Sequence, residues 1–259
     1  MFKMNPKHNL FFSIFLVFLL ISSINTNFDL MRLFSGSSNL FLFFEEITNP
    51  DLNLLRVAIS SMFETLQIAF LGTFIGILFS IPFGLVASRN LFTKRVSLPG
   101  RSFLSIIRTI PSLLWAVFFV IIVGLGPFAG VLATAVYSLG FMSKLHYESI
   151  ESIDPEPYES ISAIGASKIQ LMRFVVLPQA APNLLSQILY MFEYNVRAST
   201  ILGFAGAGGI GFYIMGYLQI LAYSKVMTFL LVVLITVLLI DFISMKIRDH
   251  YIVPMLKSS

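Results

Sequence analysis

Three glycines late in the sequence have the spacing of a nucleotide-binding turn. In the stretch AGAGGIG, residues 205–211, Gly206, Gly208 and Gly211 fit the pattern G-x-G-x-x-G. Between a strand and a helix, this spacing lets the backbone approach a dinucleotide pyrophosphate. Here an apolar helical segment precedes the stretch, and Leu231 stands where the nucleotide motif would place an acidic residue. No Lys-Ser or Lys-Thr pair follows the glycines, which also argues against a P-loop. We interpret the stretch as a turn at the outer side of a membrane helix, where glycines allow close helix packing.

Two opposite charges in an apolar segment offer a different chemistry, the handling of an anion. Glu193 and Arg197 are four residues apart, so they share one face of a helix. An unpaired charge at the middle of a bilayer costs roughly 2.5–3.5 kcal/mol, and pairing lowers that cost. The spacing predicts either a structural ion pair or a cavity in which Arg197 attracts an oxyanion that Glu193 holds or gates. Counted from Ala180, Arg197 would lie about 25 Å along the helix, in the outer half of the membrane.

Two further charged residues fall in apolar segments. Arg108 either extends its long side chain to the membrane interface or lines the inner exit of a pathway. Asp241 either pairs with a cation or faces the inner interface. The chain has no cysteine and only three scattered histidines, so we expect no disulfide, zinc or haem site.

The composition places these residues in a membrane protein. Of the 259 residues, 57% are hydrophobic and only 12% are charged. Soluble domains carry about 25% charged residues, so this chain has too few to cover a water-facing surface. The sequence predicts an all-α integral membrane protein with several spans.

Six apolar segments are candidates for these spans, since a helix needs about 20 apolar residues to cross a bilayer. They are residues 9–24, 66–86, 103–123, 127–142, 180–201 and 227–245. The first follows Lys3 and Lys7 and also resembles a signal peptide, but no small-residue cleavage site follows it, so we expect a retained span. Residues 28–58 are too interrupted to span and are expected to form one or two amphipathic helices at the interface.

Most of the 17 Lys and Arg residues fall on one side of these six spans, with Arg32, Arg56 and Lys225 on the other. Because cytoplasmic loops are enriched in positive charge, both termini are predicted to be cytoplasmic. This bias accounts for the net charge of +4 without a nucleic-acid partner. The expected organisation is an N-terminal span and a periplasmic interfacial segment (1–59), a transmembrane domain (60–248) and a cytoplasmic tail (249–259).

The loop between the fourth and fifth predicted spans should form two short helices. Asp154 begins the first helix, and Ser167 with Gln170 makes a capping box that starts the second. Gly165 is expected at the turn between them in a left-handed conformation. Pro178 and Pro182 are expected to end the second helix. Exposed apolar residues on such helices predict that the loop docks into a partner.

This loop resembles the signature E-A-A-x3-G-x9-I-x-L-P of permease subunits in binding-protein-dependent ABC importers. The matching positions are Glu159, Gly165, Val175, Leu177 and Pro178, while Ser160 and Ile161 replace the alanines and Val175 the isoleucine. Residues 64–90, 108–120 and 192–211 are similar to the phosphonate-import subfamily, in which an acidic residue is often found at the position of Ser112.

The resemblance implies a type I (MetI-like) permease fold with six transmembrane helices and a cytoplasmic coupling helix, in a bacterial inner membrane. It also implies a homodimer that works with an ATPase dimer and with a periplasmic or lipoprotein binding protein. ATP and Mg²⁺ would be bound by the ATPase, and this chain would bind no cofactor and catalyse no reaction. The residues expected to couple to the ATPase are Tyr158, Glu159, Ile161, Gly165, Ala166, Leu177 and Pro178. Those expected along the substrate path are Glu193, Arg197, Ser199, Thr200, Gly206, Gly208 and Gly209.

The expected substrate is a phosphonate, phosphite or related phosphorus oxyanion, and another small solute is the first alternative. An ion-coupled secondary transporter would have inverted repeats and acidic residues at the midplane. No such repeat is visible, although Glu193 would suit one. A membrane enzyme ranks last because no His, Asp and Glu residues cluster at catalytic spacing.

Overall fold

The computed structural model describes residues 6–35 and 46–252, and this part of the chain is helical without any strand. It divides into two compact units, Met1–Asn49 and Pro50–Ser259. The first unit holds α1 (Pro6–Asn25) and α2 (Leu30–Ser35). The predicted interfacial helices fall partly on residues 36–45, and most of the predicted tail on residues 253–259, outside the described residues. The first long helix of the second unit starts at Leu55.

The helices of the second unit follow one another with short connections. They are α3 (Leu55–Ala87), α4 (Lys94–Thr109), α5 (Ser112–Val123), α6 (Pro127–Glu151), α7 (Pro155–Ala163), α8 (Lys168–Leu171), α9 (Leu177–Leu202), α10 (Ile210–Gln219) and α11 (Tyr223–Ile247). A π-helical segment, Met172–Val176, joins α8 to α9, and another, Arg248–Ile252, follows α11.

Among the described residues, three helices are long and apolar enough to cross a membrane: Leu52–Ala87, Pro127–Glu151 and Tyr223–His250. Two bent pairs, α4 with α5 and α9 with α10, raise the number to five if each pair is one span. The apolar part of α1, Phe11–Asn25, is shorter than the three long helices. The structure therefore supports a multi-pass all-α membrane protein with three to five candidate spans, and the count of six stays a prediction.

Small residues hold α3 against α6. A Cβ atom added to Gly72 would lie 2.6 Å from the Cβ of Thr134, and one added to Gly76 would lie 2.4 Å from the Cβ of Ser138. Because the glycines have no side chain, the two backbones approach closely, as membrane helices with small residues at the interface do. This contact makes α3 and α6 the centre of the bundle.

The third predicted span is not a continuous helix. α4 and α5 meet at an angle of 84°. The break falls at Ile110 and Pro111, where Ile110 is extended with φ −85° and ψ 119°. A proline disfavours the helical conformation of the residue before it, so the helix ends there. Hydropathy does not report bends, so residues 103–123 were predicted as one continuous span.

The fifth predicted span starts earlier than expected, and its prolines do not end a helix. Pro178 lies in the first turn of α9, where a missing N–H is tolerated, and Pro182 lies inside the same helix. The π-helical segment connects α8 directly to α9. The prediction that these two prolines terminate the second loop helix is therefore wrong.

The two ends of the bundle differ in charge. At one end, which we call the basic end, α3 finishes at Ala87 and α6 at Glu151. There Arg101 pairs with Glu151, and its Nε donates to the carbonyl of Ala87 at 2.8 Å. At the opposite end, called the far end, the amide of Asp51 donates to the carbonyl of Ser224 at 3.3 Å, at the start of α11.

Candidate functional site

The loop at the basic end begins as the sequence predicts. The Oδ1 atom of Asp154 accepts from the amide of Glu156 at 3.0 Å and caps α7, with Pro155 in the first turn. The amide of Asp154 donates to Oε1 of Gln179 at 3.1 Å. The start of α7 is thereby tied to α9, which positions the whole loop relative to the bundle.

Gly165 makes the turn between α7 and α8. Its φ is +86°, and no atom lies within 4 Å of the place where a Cβ would be. The glycine is therefore required by its backbone conformation rather than by lack of space. The capping box is formed as predicted: the amide of Ser167 donates to Oε1 of Gln170 at 2.7 Å, and the amide of Gln170 donates to Oγ of Ser167 at 3.4 Å.

An exposed apolar groove of about 400 Å³ lies at this turn, and we call it the loop groove. It is lined by Ile161, Ile164, Gly165, Ala166, Gln170 and Phe174. The side chain of Ile164 is 84% exposed, and Ile169 beside it is 81% exposed. Two isoleucines exposed to this extent outside the long apolar helices indicate a docking surface.

The structure brings together only some of the residues predicted for coupling. Ile161, Gly165 and Ala166 line the loop groove. Tyr158 instead points toward the bundle, where its hydroxyl donates to the carbonyl of Asn90 at 3.4 Å. Glu159 is exposed on α7.

The last two predicted coupling residues lie at the start of α9, away from the groove. Leu177 borders a small apolar cavity of about 140 Å³ between α3, α6 and α9, and Pro178 follows it in the first turn of the helix. These two residues support the connection behind the loop rather than its exposed surface.

Glu193 and Arg197 do not pair with each other, so the ion pair that was one of the two alternatives for them is not formed. Nη1 of Arg197 lies 3.1 Å from Oδ1 of Asp241 on α11. Oε1 of Glu193 lies 3.3 Å from Nη2 of Arg248, just beyond the end of α11. Each charge on α9 thus finds its partner on the neighbouring helix, and two ion pairs of opposite polarity join α9 to α11.

The depth of Arg197 can be read from α9 and α6. It lies about 30 Å along α9 from the start of this helix at Leu177. Asn195, two residues before it, bonds Ser138, which is about 17 Å along α6 from Pro127 and about 20 Å from Glu151. Arg197 therefore lies near the middle of the bundle, and its placement in the outer half stays a prediction.

The glycine stretch is a break inside a bent span. Gly206, Gly208 and Gly209 have φ values of +83°, +79° and +74°, and they separate α9 from α10. Oε1 of Glu64 on α3 accepts from the amide of Gly209 at 2.9 Å. Oγ1 of Thr65 accepts from the amide of Ile210 at 2.8 Å. These bonds satisfy the amides at the start of α10, which a bend within the membrane would otherwise leave without partners.

The glycines have two different surroundings. Gly208 packs against α3 and α6, since an added Cβ would lie 2.8 Å from Oε1 of Glu64 and 2.8 Å from the nitrogen of Pro127. Gly206 borders a cavity of about 450 Å³ toward α10, together with Phe212 and Tyr213. Close packing and cavity lining are thus distributed between different glycines.

Ser199 and Thr200 are placed differently from each other. Ser199 is buried, and its hydroxyl has no hydrogen-bond partner in the described part of the chain. The hydroxyl of Thr200 donates to the carbonyl of Arg197 at 2.6 Å, within its own helix.

Gly211 lets α10 pass close to α9, since a Cβ on this glycine would lie 1.8 Å from the carbonyl oxygen of Thr200.

Sequence reasoning missed two polar positions in the bundle. Glu64 is a carboxylate in an apolar helix, a signal that could have identified it as functional. Asn195 is buried, and its Nδ2 donates to Thr73 Oγ1 and to Ser138 Oγ, each at 2.7 Å. This polar node joins α9 to both α3 and α6.

Comparison with solved structures defines the class of protein. An inward-facing form of the MetNI methionine ABC transporter superposes with a TM-score of 0.67 at 26% identity, covering 76% of this chain and 97% of the matched chain. The fold is therefore that of an ABC-transporter permease subunit of the MetI type.

Sequence comparison then gives the family. Residues 80–252 match the family described as "Binding-protein-dependent transport system inner membrane component", and the chain belongs to this family. It is a membrane permease subunit rather than an enzyme, and ATP hydrolysis is the task of a separate subunit.

Two relatives are similar over most of the chain. The phosphite transport system permease protein PtxC of Stutzerimonas stutzeri is 37% identical over 224 residues, which cover 86% of this chain and 82% of PtxC. The phosphate-import permease protein PhnE of Mycolicibacterium smegmatis is 36% identical over 211 residues, which cover 81% of this chain and 40% of that protein.

Proposed function

We propose that this chain is the permease of an ATP-driven importer for phosphite, phosphonate or a related small phosphorus oxyanion. The observation that carries the substrate class is the 37% identity to a phosphite permease over 86% of the chain. A periplasmic or lipoprotein binding protein would deliver the anion at the far end. Transport would carry it past α9 toward the basic end.

The loop groove is the proposed contact with the ATPase subunit. It combines an exposed apolar surface, a glycine turn fixed by φ +86° and helix caps that hold both flanking helices. The proposed coupling residues are those predicted from the sequence, with Ile161, Gly165 and Ala166 at the surface and with Tyr158, Leu177 and Pro178 supporting it. ATP and Mg²⁺ would be bound by the ATPase, and this chain would hold no cofactor.

The proposed assembly is a homodimer of this chain with two ATPase subunits in a bacterial inner membrane. Both termini would lie in the cytoplasm. The clustering of Arg89, Arg101 and Lys144 at the same end as the loop groove supports this orientation, since cytoplasmic loops are enriched in positive charge.

The test of coupling is ATP hydrolysis by the reconstituted complex. Loaded binding protein should stimulate hydrolysis by the ATPase when the wild-type permease is present. An Ile164→Asp variant places a charge in the loop groove and should abolish this stimulation, whereas Ile164→Leu, which keeps an apolar side chain at the same position, is the matched control. Full stimulation with Ile164→Asp would contradict the proposed docking surface.

A further inference from the structure

Two stacked tyrosines lie where α6 faces α9, and Arg108 of α4 packs on α6 nearby. The rings of Tyr137 on α6 and Tyr194 on α9 stack with centroids 5.6 Å apart and planes 20° apart. Tyr137 interacts electrostatically with Tyr194, with Tyr190 and with Arg108. Phe141 stacks on the Tyr137 ring with centroids 6.1 Å apart. We call Arg108, Tyr137 and Tyr194 the Arg–Tyr cluster.

The absence of a side chain at Gly140 lets Arg108 reach this position. A Cβ added to Gly140 would lie 2.8 Å from Cγ2 of Ile107 and 3.1 Å from Cγ of Arg108. The stem of Arg108 therefore crosses α6 directly over the glycine. Tyr137 is three residues from Gly140 and lies on the same face of α6. The packing of α4 on α6 thus brings the side chain of Arg108 onto the face of α6 that carries Tyr137.

Arg108 differs from the other arginines that pack between the long helices. In the part of the chain that the structure describes, Arg101, Arg197 and Arg248 each pair with a carboxylate. Arg108 has no such ion pair there. Its Nη2 donates to Oγ of Ser105 at 3.4 Å, and its buried Nε has no partner among the described residues.

The location makes an unpaired cation notable. Tyr137 is about 15 Å along α6 from Pro127 and about 21 Å from Glu151, at 1.5 Å per residue, and so lies well inside the span. Carbonyls at the end of α4 favour the positive charge but offer no counter-ion. A charged residue at such a depth is costly and generally serves a substrate or ion pathway.

The surroundings of the cluster are fixed on one side and open on the other. Asn195 and Ser138, the residues next to Tyr194 and Tyr137 in the chain, are hydrogen bonded to each other. This node holds the two helices in register. Tyr190, one turn along α9, is 47% exposed, so the cluster reaches the surface of the bundle.

We propose that the Arg–Tyr cluster is a binding site for the transported oxyanion on its way through the membrane. A guanidinium offers several N–H donors in a planar fork that fits tetrahedral oxyanions. The hydroxyl groups of Tyr137 and Tyr194 would each donate a hydrogen bond to the anion's oxygens. This inference rests on the proposed function, because it takes its ligand class from there.

The test uses the full complex in proteoliposomes, with uptake of labelled phosphite and ATP hydrolysis measured on the same preparation. Arg108→Gln should lower phosphite uptake at least about tenfold, the loss typical of removing a charged hydrogen bond. Stimulation of ATP hydrolysis by loaded binding protein should persist. Arg108→Lys, which keeps the charge, should retain intermediate uptake. Arg95→Gln, the same change at an exposed position of the same helix, is the control.

Variants that keep the aromatic stack separate binding from packing. Tyr137→Phe with Tyr194→Phe removes both hydroxyl groups but retains the rings, and it should lower the rate of phosphite uptake at saturating loaded binding protein while the complex still assembles. Wild-type uptake by this double variant and by Arg108→Gln would overturn the inference and leave the proposed function intact. Equal loss of ATPase stimulation in Arg108→Gln and Arg108→Lys would also overturn it, by assigning Arg108 to coupling. Failure of the wild-type complex to take up phosphite would instead contradict the proposed function.

Discussion

Arg197 and Asp241 join α9 to α11 through contacts of 3.1 Å from Nη1 to both carboxylate oxygens. The pair lies 44 residues apart in the sequence. Because it neutralises Arg197, the pairing favours a structural role for this arginine over direct contact with a transported anion.

Removing one partner of this pair should reduce assembly more than removing both. Arg197→Gln leaves Asp241 without its partner, and we expect about a threefold lower yield of complex. Breaking a fully buried ion pair destabilises a protein by about 3–5 kcal/mol. The loss here should be smaller, since the two side chains are 43% and 42% exposed. The double variant with Asp241→Asn should recover the yield, measured by size-exclusion chromatography.

Uptake by the double variant then decides between the two roles of Arg197. Near-normal uptake per assembled complex is expected for a structural pair. A complex that assembles but transports poorly would contradict this expectation and return Arg197 to the substrate path. Lys144→Gln, which breaks an exposed pair with Glu148 on α6, is the control.

Gly165 should tolerate asparagine better than valine. Its φ of +86° is costly for residues with a Cβ and most costly for β-branched ones, whereas asparagine adopts positive φ more readily. Gly165→Val should reduce ATPase stimulation strongly and Gly165→Asn only mildly. Gly216→Val, at a helical glycine that also has open space around it, should behave as wild type. Equal effects of valine and asparagine at Gly165 would contradict a conformational requirement.

Glu64 should stabilise the bend between α9 and α10. Glu64→Ala removes the acceptor for the amide of Gly209, and an unsatisfied buried donor costs about 1–3 kcal/mol. We expect a lower Tm for the purified complex, measured by the loss of monodisperse protein on heating. Glu64→Gln keeps an acceptor oxygen and should recover most of the stability. A Tm unchanged in Glu64→Ala would show that this bond does not support the bend.

Both termini are predicted to lie in the cytoplasm. A reporter that is active only in the cytoplasm should therefore be active when fused after Ser259. Truncated fusions provide the control: after Val123 or Ala222, at the far end, a reporter that requires export should be active instead. The reverse pattern would contradict the orientation.

Local features of the loop could be predicted because their signals act over a few residues. Asp154 caps α7, Gly165 has positive φ, and Ser167 and Gln170 form their reciprocal bonds. Each depends on backbone groups two to four positions away, so residue type and spacing suffice. The glycine stretch was likewise excluded as a nucleotide turn, since helices flank it on both sides.

Long-range contacts could not be predicted in the same way. Glu193 and Arg197 are close in the sequence and opposite in charge. In the bundle, however, Arg197 pairs with Asp241 and Glu193 pairs with Arg248. Hydropathy also does not report bends, so the breaks at Pro111 and at the glycine stretch were hidden in apolar runs. Such features depend on how helices pack, which one sequence does not specify directly.

The most direct test of the account is phosphite uptake into proteoliposomes that contain the permease with its ATPase. The account predicts that uptake requires ATP on the side of the ATPase and loaded binding protein at the far end. It also predicts that phosphonate inhibits phosphite uptake by competition. Uptake driven by an imposed proton or sodium gradient without ATP would contradict the account. A complex that hydrolyses ATP in response to its binding protein but transports no phosphorus oxyanion would contradict it as well.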